Sequence, residues 1–175
     1  MHGHTLSIAT SSIPAKIEYP SVFNAAVPFI DRHLSEGRGE KTAIETSNGE
    51  TVNYSQLSER VNRCGNALRD LGLNHGDRLL MIIRDSPEFF YLFWGAIKAG
   101  FIPVPLNTLF RCNDYSYIIE DSECAAVFYS PEFKTEVESA LAQVSSSPDH
   151  SCLTEGVSGS FSEQLQSASL ELDAV

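Results

Sequence analysis

RLLMIIRDSPEFFYLFWGAIKAGFIPVPLN, at residues 78–107, decides the fold because it has the pattern of a strand, a helix and a second strand. The aliphatic run at residues 78–83 predicts a buried strand. A helix is predicted to begin at Pro87, which suits the first helical position, and to end before Gly100, which suits a left-handed residue. Residues 101–104 predict the second strand. Two apolar strands joined by such a helix form a parallel βαβ crossover, whose sheet needs cover on both faces.

The predicted crossover helix has one broad apolar side and a basic last turn. Lys98 lies in that last turn, where a positive charge favours the C-terminus of a helix. We expect the apolar side to face the core, because its members recur at helical spacing. They are Phe89, Phe90, Phe93, Trp94 and Ile97.

Before the crossover, the sequence predicts a β-hairpin followed by a helix. Residues 42–47 and 50–54 have strand patterns, and Asn48-Gly49 between them is a pair favoured in two-residue type I′ turns. Ser55 is expected to cap the helix. The buried stripe of that helix is predicted to contain Leu57, Val61, Cys64, Leu68 and Leu71.

Three further elements complete the predicted architecture. Apolar periodicity over residues 21–34 predicts a helix, which either kinks at Pro28 or begins near it. After the crossover, Asn113 is expected to cap a short helix, and a strand at residues 125–129 and a helix at residues 131–144 follow. The predicted fold class is therefore α/β, a layered sheet with a parallel βαβ crossover and an N-terminal β-hairpin.

Composition along the chain predicts three regions. Residues 1–20 are polar and aperiodic, which predicts an extended lead-in. Residues 21–144 contain the predicted elements and form one α/β subdomain. Residues 145–175 are rich in serine and contain neither Lys nor Arg. We expect one or two weak helical turns at residues 160–167, a flexible linker at residues 156–159, and otherwise a connection outside the core.

Overall composition restricts the partners and the compartment. The chain has 175 residues, 42% of them hydrophobic, and a formal net charge of −11. The acidic excess argues against a nucleic-acid partner, because phosphate binding requires clustered Lys and Arg. We find neither a membrane-spanning apolar run nor a secretory signal. The four cysteines form no C-x-x-C pair, which favours free thiols in the cytoplasm.

A search for catalytic and metal-binding patterns gives none that converges. Residues 37–42 superficially resemble a phosphate loop, but Glu40 interrupts the pattern and no strand precedes it. Residues 156–159 lack the spacing of a nucleophile elbow. His2 and His4 lie on a predicted mobile tail, which is a poor metal site. The other ionisable candidates are expected to lie singly at helix ends or turns: His33, His75, Asp85, Glu88, Glu120 and Asp121.

Two motifs nevertheless resemble the shared core motifs of adenylate-forming enzymes, the acyl-CoA synthetase and ligase superfamily. VNYSQL at residues 52–57 is similar to the first motif, and IKAGFIPVPLN at residues 97–107 is closely similar to the second. Residues 76–78 and 118–122 also match in place. The resemblance covers residues 20–144 and implies an incomplete N-terminal portion of the large domain of such enzymes.

Residues 31–44, DRHLSEGRGEKTAI, are most similar to the benzoate–CoA ligase branch. The resemblance implies a parent enzyme that uses ATP, Mg²⁺ and CoA to convert an aryl acid to an acyl-adenylate and then to a thioester. Family members continue into a phosphate loop that this chain lacks, so we expect the chain itself to be inactive and to bind none of these cofactors tightly. By the same resemblance, Arg111 is a candidate contact for the nucleotide end of CoA.

An alternative hypothesis is a stand-alone α/β binding or interaction domain without catalysis. If the chain is instead part of a ligase, the missing later segments would leave part of the predicted sheet uncovered. Exposed apolar surface of that kind favours self-association. We therefore expect a tendency of the chain to self-associate.

Overall fold

The computed structural model describes residues 4, 6–11, 13–155 and 160–175. Its strands are β1 (Ser7–Ala9), β2 (Lys16–Glu18), β3 (Thr42–Glu45), β4 (Thr51–Asn53), β5 (Arg78–Ile82), β6 (Ile102–Pro105), β7 (Ala126–Tyr129) and β8 (His150–Leu153). Its α-helices are α1 (Arg32–Ser35), α2 (Tyr54–Asp70), α3 (Pro87–Ala99), α4 (Cys112–Ser122), α5 (Lys134–Leu141) and α6 (Phe161–Ser167).

A four-stranded parallel sheet forms the central layer, with the strand order β6-β5-β7-β8. The predicted β5-α3-β6 crossover is therefore confirmed. From β6 the chain returns across the sheet to place β7 on the other side of β5, so the direction of winding reverses between β5 and β7. Two antiparallel pairs, β1-β2 and β3-β4, lie outside this sheet.

Helices cover both faces of the sheet. Leu79 and Met81 of β5 point to the face covered by α2, α3 and α6, whereas Leu80 and Ile82 point to the face covered by α4 and α5. All four side chains are fully buried. This arrangement explains why β5 has a continuous apolar sequence instead of the alternation expected of a half-exposed strand.

The edge position of β6 accounts for its two prolines. Pro103 and Pro105 have no N–H to donate to a second neighbouring strand, and β6 needs none because it pairs only with β5. The strand therefore ends the sheet on this side among the described residues.

The buried side of α3 is not the aromatic side that the periodicity predicts. Gly95 faces α2 so closely that a Cβ there would lie 2.9 Å from the Val61 carbonyl oxygen. Because only small residues permit this approach, the aromatic side chains lie on the flank, where Trp94 stacks on Phe29 with ring centroids 5.4 Å apart. The side chains buried in this helix are instead mainly small, together with one leucine and one lysine: Leu92, Ala96, Lys98 and Ala99.

The hairpin exists, but its turn differs from the predicted two-residue type. The Gly49 N–H donates to the Thr46 carbonyl oxygen, and the Thr46 N–H donates to that of Glu50, which closes a three-residue loop. Gly49 has a φ of 85°, while Glu123 is the one non-glycine residue with positive φ in the described part of the chain. Asn48 therefore does not adopt the left-handed conformation that a type I′ turn requires.

Two predicted helix starts move by two residues, and a third follows one of its two alternatives. Asn53, not Ser55, caps α2, because its side chain and that of Gln56 bind each other's backbone N–H. Arg111, not Asn113, precedes α4, and its N–H donates to the Asp114 carboxylate. Of the two possibilities for Pro28, the structure has the second: a π-helical turn, Val27–Asp31, begins there and leads into α1.

The structure differs most from the predicted core at residues 145–175. The predicted helical turns at residues 160–167 are present as α6, but they lie in the core, where Phe161 packs against Phe128 with ring centroids 4.8 Å apart. The connection that we expect before them contains β8, which pairs with β7. Ala168 and Leu172 are also buried in the same cluster. These few apolar residues are difficult to recognise as core residues in a serine-rich sequence. The predicted linker at residues 156–159 lies outside the described residues.

Candidate functional site

The first candidate site is the crevice where the winding of the sheet reverses. In open parallel sheets, ligands bind at the carboxyl ends of the strands beside such a reversal. Arg84 follows β5 and Ser130 follows β7, and the Arg84 N–H donates to the buried Ser130 hydroxyl over 3.1 Å. The Arg84 guanidinium pairs with Glu155 after β8 and lies 3.7 Å from a Glu132 oxygen.

This crevice is poorly suited to a phosphate. Two carboxylates already neutralise Arg84, and a third, Asp85, follows directly in the chain. A cleft of about 940 Å³ separates this edge from the tip of the β3-β4 hairpin. Across the described ranges, no group of three or more His, Cys, Asp or Glu side chains could hold a metal ion. Carboxylates therefore compete with any phosphate for the Arg84 guanidinium.

Arg111 lies in the loop between β6 and α4, just after the second motif, as predicted. Its side chain is 76% exposed, and its Nη1 lies 3.5 Å from Glu136 Oε1. An exposed guanidinium fits a phosphate group by charge and geometry. The Glu136 carboxylate competes for it, so phosphate binding would require Arg111 to leave this weak ion pair.

Lys98 lies in the last turn of α3, as predicted, and its ammonium group is buried. Its Nζ donates to Asp31 Oδ1 over 2.7 Å and to Asn62 Oδ1 over 2.8 Å. The Lys98 and Asp31 side chains are only 4% and 8% exposed. Ser58 donates a longer hydrogen bond of 3.4 Å to the same carboxylate. The resulting buried ion pair joins α3, α2 and the π-helical turn.

Asn24 is a second residue that sequence reasoning missed. Its Nδ2 donates to the carbonyl oxygens of Ile97 over 2.8 Å, Lys98 over 3.3 Å and Val175 over 2.9 Å. The buried amide thus joins the end of α3 to the main chain at Val175, where the Ile97 oxygen also accepts from the Gly100 N–H and the Lys98 oxygen from the Val175 N–H. No local signal marks this role, since Asn24 lies more than 70 positions from the helix that it caps.

His33 forms part of the junction between α1 and α2. Its Nδ1 accepts a hydrogen bond of 3.1 Å from Arg38 Nε, and its ring stacks on Tyr54 at a centroid distance of 3.7 Å. Burial, reinforced by the positive charges of Arg38 and Arg32, lowers the pKa of His33 below its ordinary value of 6.5. The folded protein therefore favours the neutral imidazole.

The lowered pKa of His33 predicts a loss of stability in mild acid. As the pH falls through about 6.5, the unfolded chain binds a proton at His33 that the folded chain resists, so the free energy of unfolding decreases. The decrease stops below the folded-state pKa. Urea unfolding between pH 8 and pH 5 measures the slope, and His33→Gln should remove part of it. An unchanged slope in that variant would contradict the assignment.

The remaining candidates do not form a common site. Glu120, expected to face solvent without a partner, accepts hydrogen bonds from the N–H and hydroxyl of Ser145, which lower the pKa of its carboxyl group. His4, expected on a mobile tail, accepts a hydrogen bond of 2.9 Å from the Asn24 N–H. His2 lies outside the described residues. None of the helices in the described part is long and apolar enough to cross a bilayer.

Comparisons with known proteins agree with the resemblance of the two motifs. The family model described as AMP-binding enzyme matches residues 31–173. The chain is 41% identical over 122 residues to the 4-hydroxybenzoate–CoA/benzoate–CoA ligase of Rhodopseudomonas palustris, covering 70% of this chain and 22% of that protein. It is 43% identical over 131 residues to the benzoate–CoA ligase of Thauera aromatica, covering 74% of this chain and 25% of that protein.

A solved structure shares the fold. The chain superimposes on a benzoate–CoA ligase from Burkholderia xenovorans with a TM-score of 0.77 and 30% sequence identity, covering 87% of this chain and 30% of that one. The chain spans about a quarter of the length of the curated relatives that it matches. The described fold thus corresponds to an N-terminal portion of the large domain in these enzymes.

Proposed function

The chain belongs to the AMP-binding enzyme family, and from that premise we propose that it is part of an ATP-dependent acid–CoA ligase acting on benzoate or a related aryl acid. One observation carries the proposal: relatives at 41% and 43% identity are named as benzoate or hydroxybenzoate ligases. The proposed reaction joins the acid to AMP with release of pyrophosphate, after which the CoA thiol displaces AMP to form the thioester.

In this proposal, the described residues supply the scaffold of the ligase and no catalytic group. The first motif holds the start of α2, where Asn53 is the cap, and the second motif holds the end of α3, where Gly100 has a φ of 92°. The crevice around Arg84 carries too much negative charge for ATP. Adenylation would therefore depend on residues of the ligase that this chain does not include.

We expect the 175-residue chain by itself to have no ligase activity. A pyrophosphate-release assay with benzoate, 4-hydroxybenzoate, ATP, Mg²⁺ and CoA should give the background rate, with the Thauera aromatica ligase as the positive control. Clear turnover by the chain alone would contradict the assignment of its residues to a scaffold. The absence of turnover also fits the alternative of a non-catalytic interaction domain, so a second experiment is needed.

A chimaera separates the ligase proposal from that alternative. Residues 31–173 would replace the aligned segment of the Thauera aromatica ligase, a transfer for which 43% identity is favourable. A ligase scaffold should retain benzoate-dependent thioester formation. A folded chimaera without activity would favour the interaction domain.

Arg111 is our proposed contact for the nucleotide end of CoA. In the active chimaera, Arg111→Ala should raise the KM for CoA about tenfold, because a hydrogen bond to a charged group contributes about 1.5–3 kcal/mol. The rate of benzoate-dependent ATP–pyrophosphate exchange should not change. Arg32→Ala, at another exposed arginine, is the matched control. Equal KM values for the two variants would exclude the contact.

Two further expectations remain proposals. We propose that the chain is divided into three regions, residues 1–20, 21–144 and 145–175, although the last region contributes to the core. Self-association is supported by large apolar side chains that are strongly exposed. Examples are Ile13 at 102%, Leu109 at 81% and Tyr117 at 68% relative exposure.

A further inference from the structure

Residues 168–175, here called the strap, cross the surface of α2 without forming a helix or a strand. Most of the strap is exposed, but Ala168 and Leu172 are each only 8% exposed. Leu172 is the main anchor, because its Cδ2 lies against Gly65 at the seam between α2 and α3. The strap therefore rests on few buried apolar groups.

Polar side chains of α2 hold the strap by its main chain. Each donates a hydrogen bond to a main-chain carbonyl oxygen, so these hydrogen bonds do not depend on the side chains of the strap, whereas the apolar contact of Leu172 does. The donors are Asn62 to Leu170 (2.7 Å), Asn66 to Ser169 (2.9 Å) and Glu171 (2.8 Å), and Arg69 to Asp173 (3.4 Å).

Arg63 fixes the point at which the strap leaves α6. Its Nη1 lies 2.9 Å from the Ala168 carbonyl oxygen, 2.7 Å from that of Gln166 and 3.1 Å from that of Leu165. A cation at this position also favours the C-terminus of α6. Arg60, one turn earlier on α2, has no hydrogen bond to the strap within the described residues and offers a matched comparison.

The strap also forms one side of a cleft of about 830 Å³. Asn62, Lys98 and Asp31 line the cleft opposite the strap. The buried ion pair therefore lies on the inner side of the strap, and removal of the strap would admit water to it.

We propose that the strap undocks from α2 while the core remains folded, and that undocking opens the cleft above the Asp31–Lys98 pair. Segments with few buried apolar contacts and with exposed hydrogen bonds open at lower free energy than the core. The strap has both properties, whereas the sheet beneath it has neither. This inference does not depend on the proposed ligase activity.

Thiol labelling of the full chain tests the proposal. Leu172→Cys, and separately Ala168→Cys, would be treated with iodoacetamide, and each modified position followed by peptide mass mapping. Cys64, which is 0% exposed, is the internal reference for opening of the core. We expect the introduced thiol to react at least about 100-fold faster than Cys64. Its rate should be nearly independent of low urea concentrations, because strap opening exposes little surface.

Arg63→Ala then tests whether the α2 donors hold the strap. It should accelerate labelling of the introduced thiol about tenfold relative to Cys64, and Arg60→Ala should not. Equal labelling rates and equal urea dependence for the introduced thiol and Cys64 would overturn the proposal, as would equal effects of the two arginine variants. Failure of both cysteine variants to fold would do the same, because it would make the strap an integral part of the core.

Discussion

Lys98→Met should lower the free energy of unfolding by about 3–5 kcal/mol, because it leaves the Asp31 carboxylate buried without its cation. The two side chains are 4% and 8% exposed, and the Nζ–Oδ1 distance is 2.7 Å. Removing one member of such a pair costs far more than removing one member of an exposed pair. Urea denaturation followed by circular dichroism measures the difference.

Two controls make this prediction specific to the buried charge. Lys134→Met breaks the ion pair with Glu138, whose side chains are about half exposed, and should cost less than about 1 kcal/mol. The double variant Asp31→Leu/Lys98→Met should recover much of the stability, because it leaves no uncompensated charge. Equal losses for Lys98→Met and Lys134→Met would refute our account of this pair.

Gly95→Val should lower the free energy of unfolding by about 3 kcal/mol, the upper range for overpacking a close-packed interior. A Cβ at Gly95 would lie 2.8 Å from Cys64 Cβ and 2.9 Å from the Val61 carbonyl oxygen. The carbonyl belongs to the backbone of α2, so the two helices would have to separate. Thermal and urea unfolding measure the loss.

An exposed position on the partner helix provides the comparison. Glu59→Val places the same β-branched side chain on α2, facing solvent, and should cost only its helix propensity of a few tenths of a kcal/mol. If Gly95→Val were no more destabilising than Glu59→Val, α2 and α3 could not be as closely packed as the structure has them.

The elements that could be predicted are those with strong local signals. The bounds of α3 follow from Pro87 at its start and Gly100 at its end, and β5 follows from its uninterrupted apolar run. Four members of the predicted stripe on α2 are confirmed as buried because their spacing is set within the helix, whereas Leu71 lies at the C-cap and is partly buried. Capping residues were less certain, because several polar residues near each helix start offer equivalent side chains.

The features that could not be predicted depend on distant parts of the chain. Lys98 and Asp31 are 67 positions apart, so no spacing identifies them as a pair. The short strand β8 and the burial of the seven-residue helix α6 give no clear signal, because few apolar residues mark them in a serine-rich sequence. The aromatic side of α3 was misassigned because the glycine of the neighbouring helix, Gly65, decides which side can approach.

The late position of α6 and Leu172 in the sequence has a consequence for biosynthesis. These residues close the sheet face that also contacts α2 and α3, yet they leave the ribosome after every other element of that face. Until residue 172 emerges, Phe128 and its neighbours remain uncovered on the nascent chain. Apolar surface of this kind is what chaperones bind and what aggregates form from, so we expect the nascent chain to be open to both until α6 emerges.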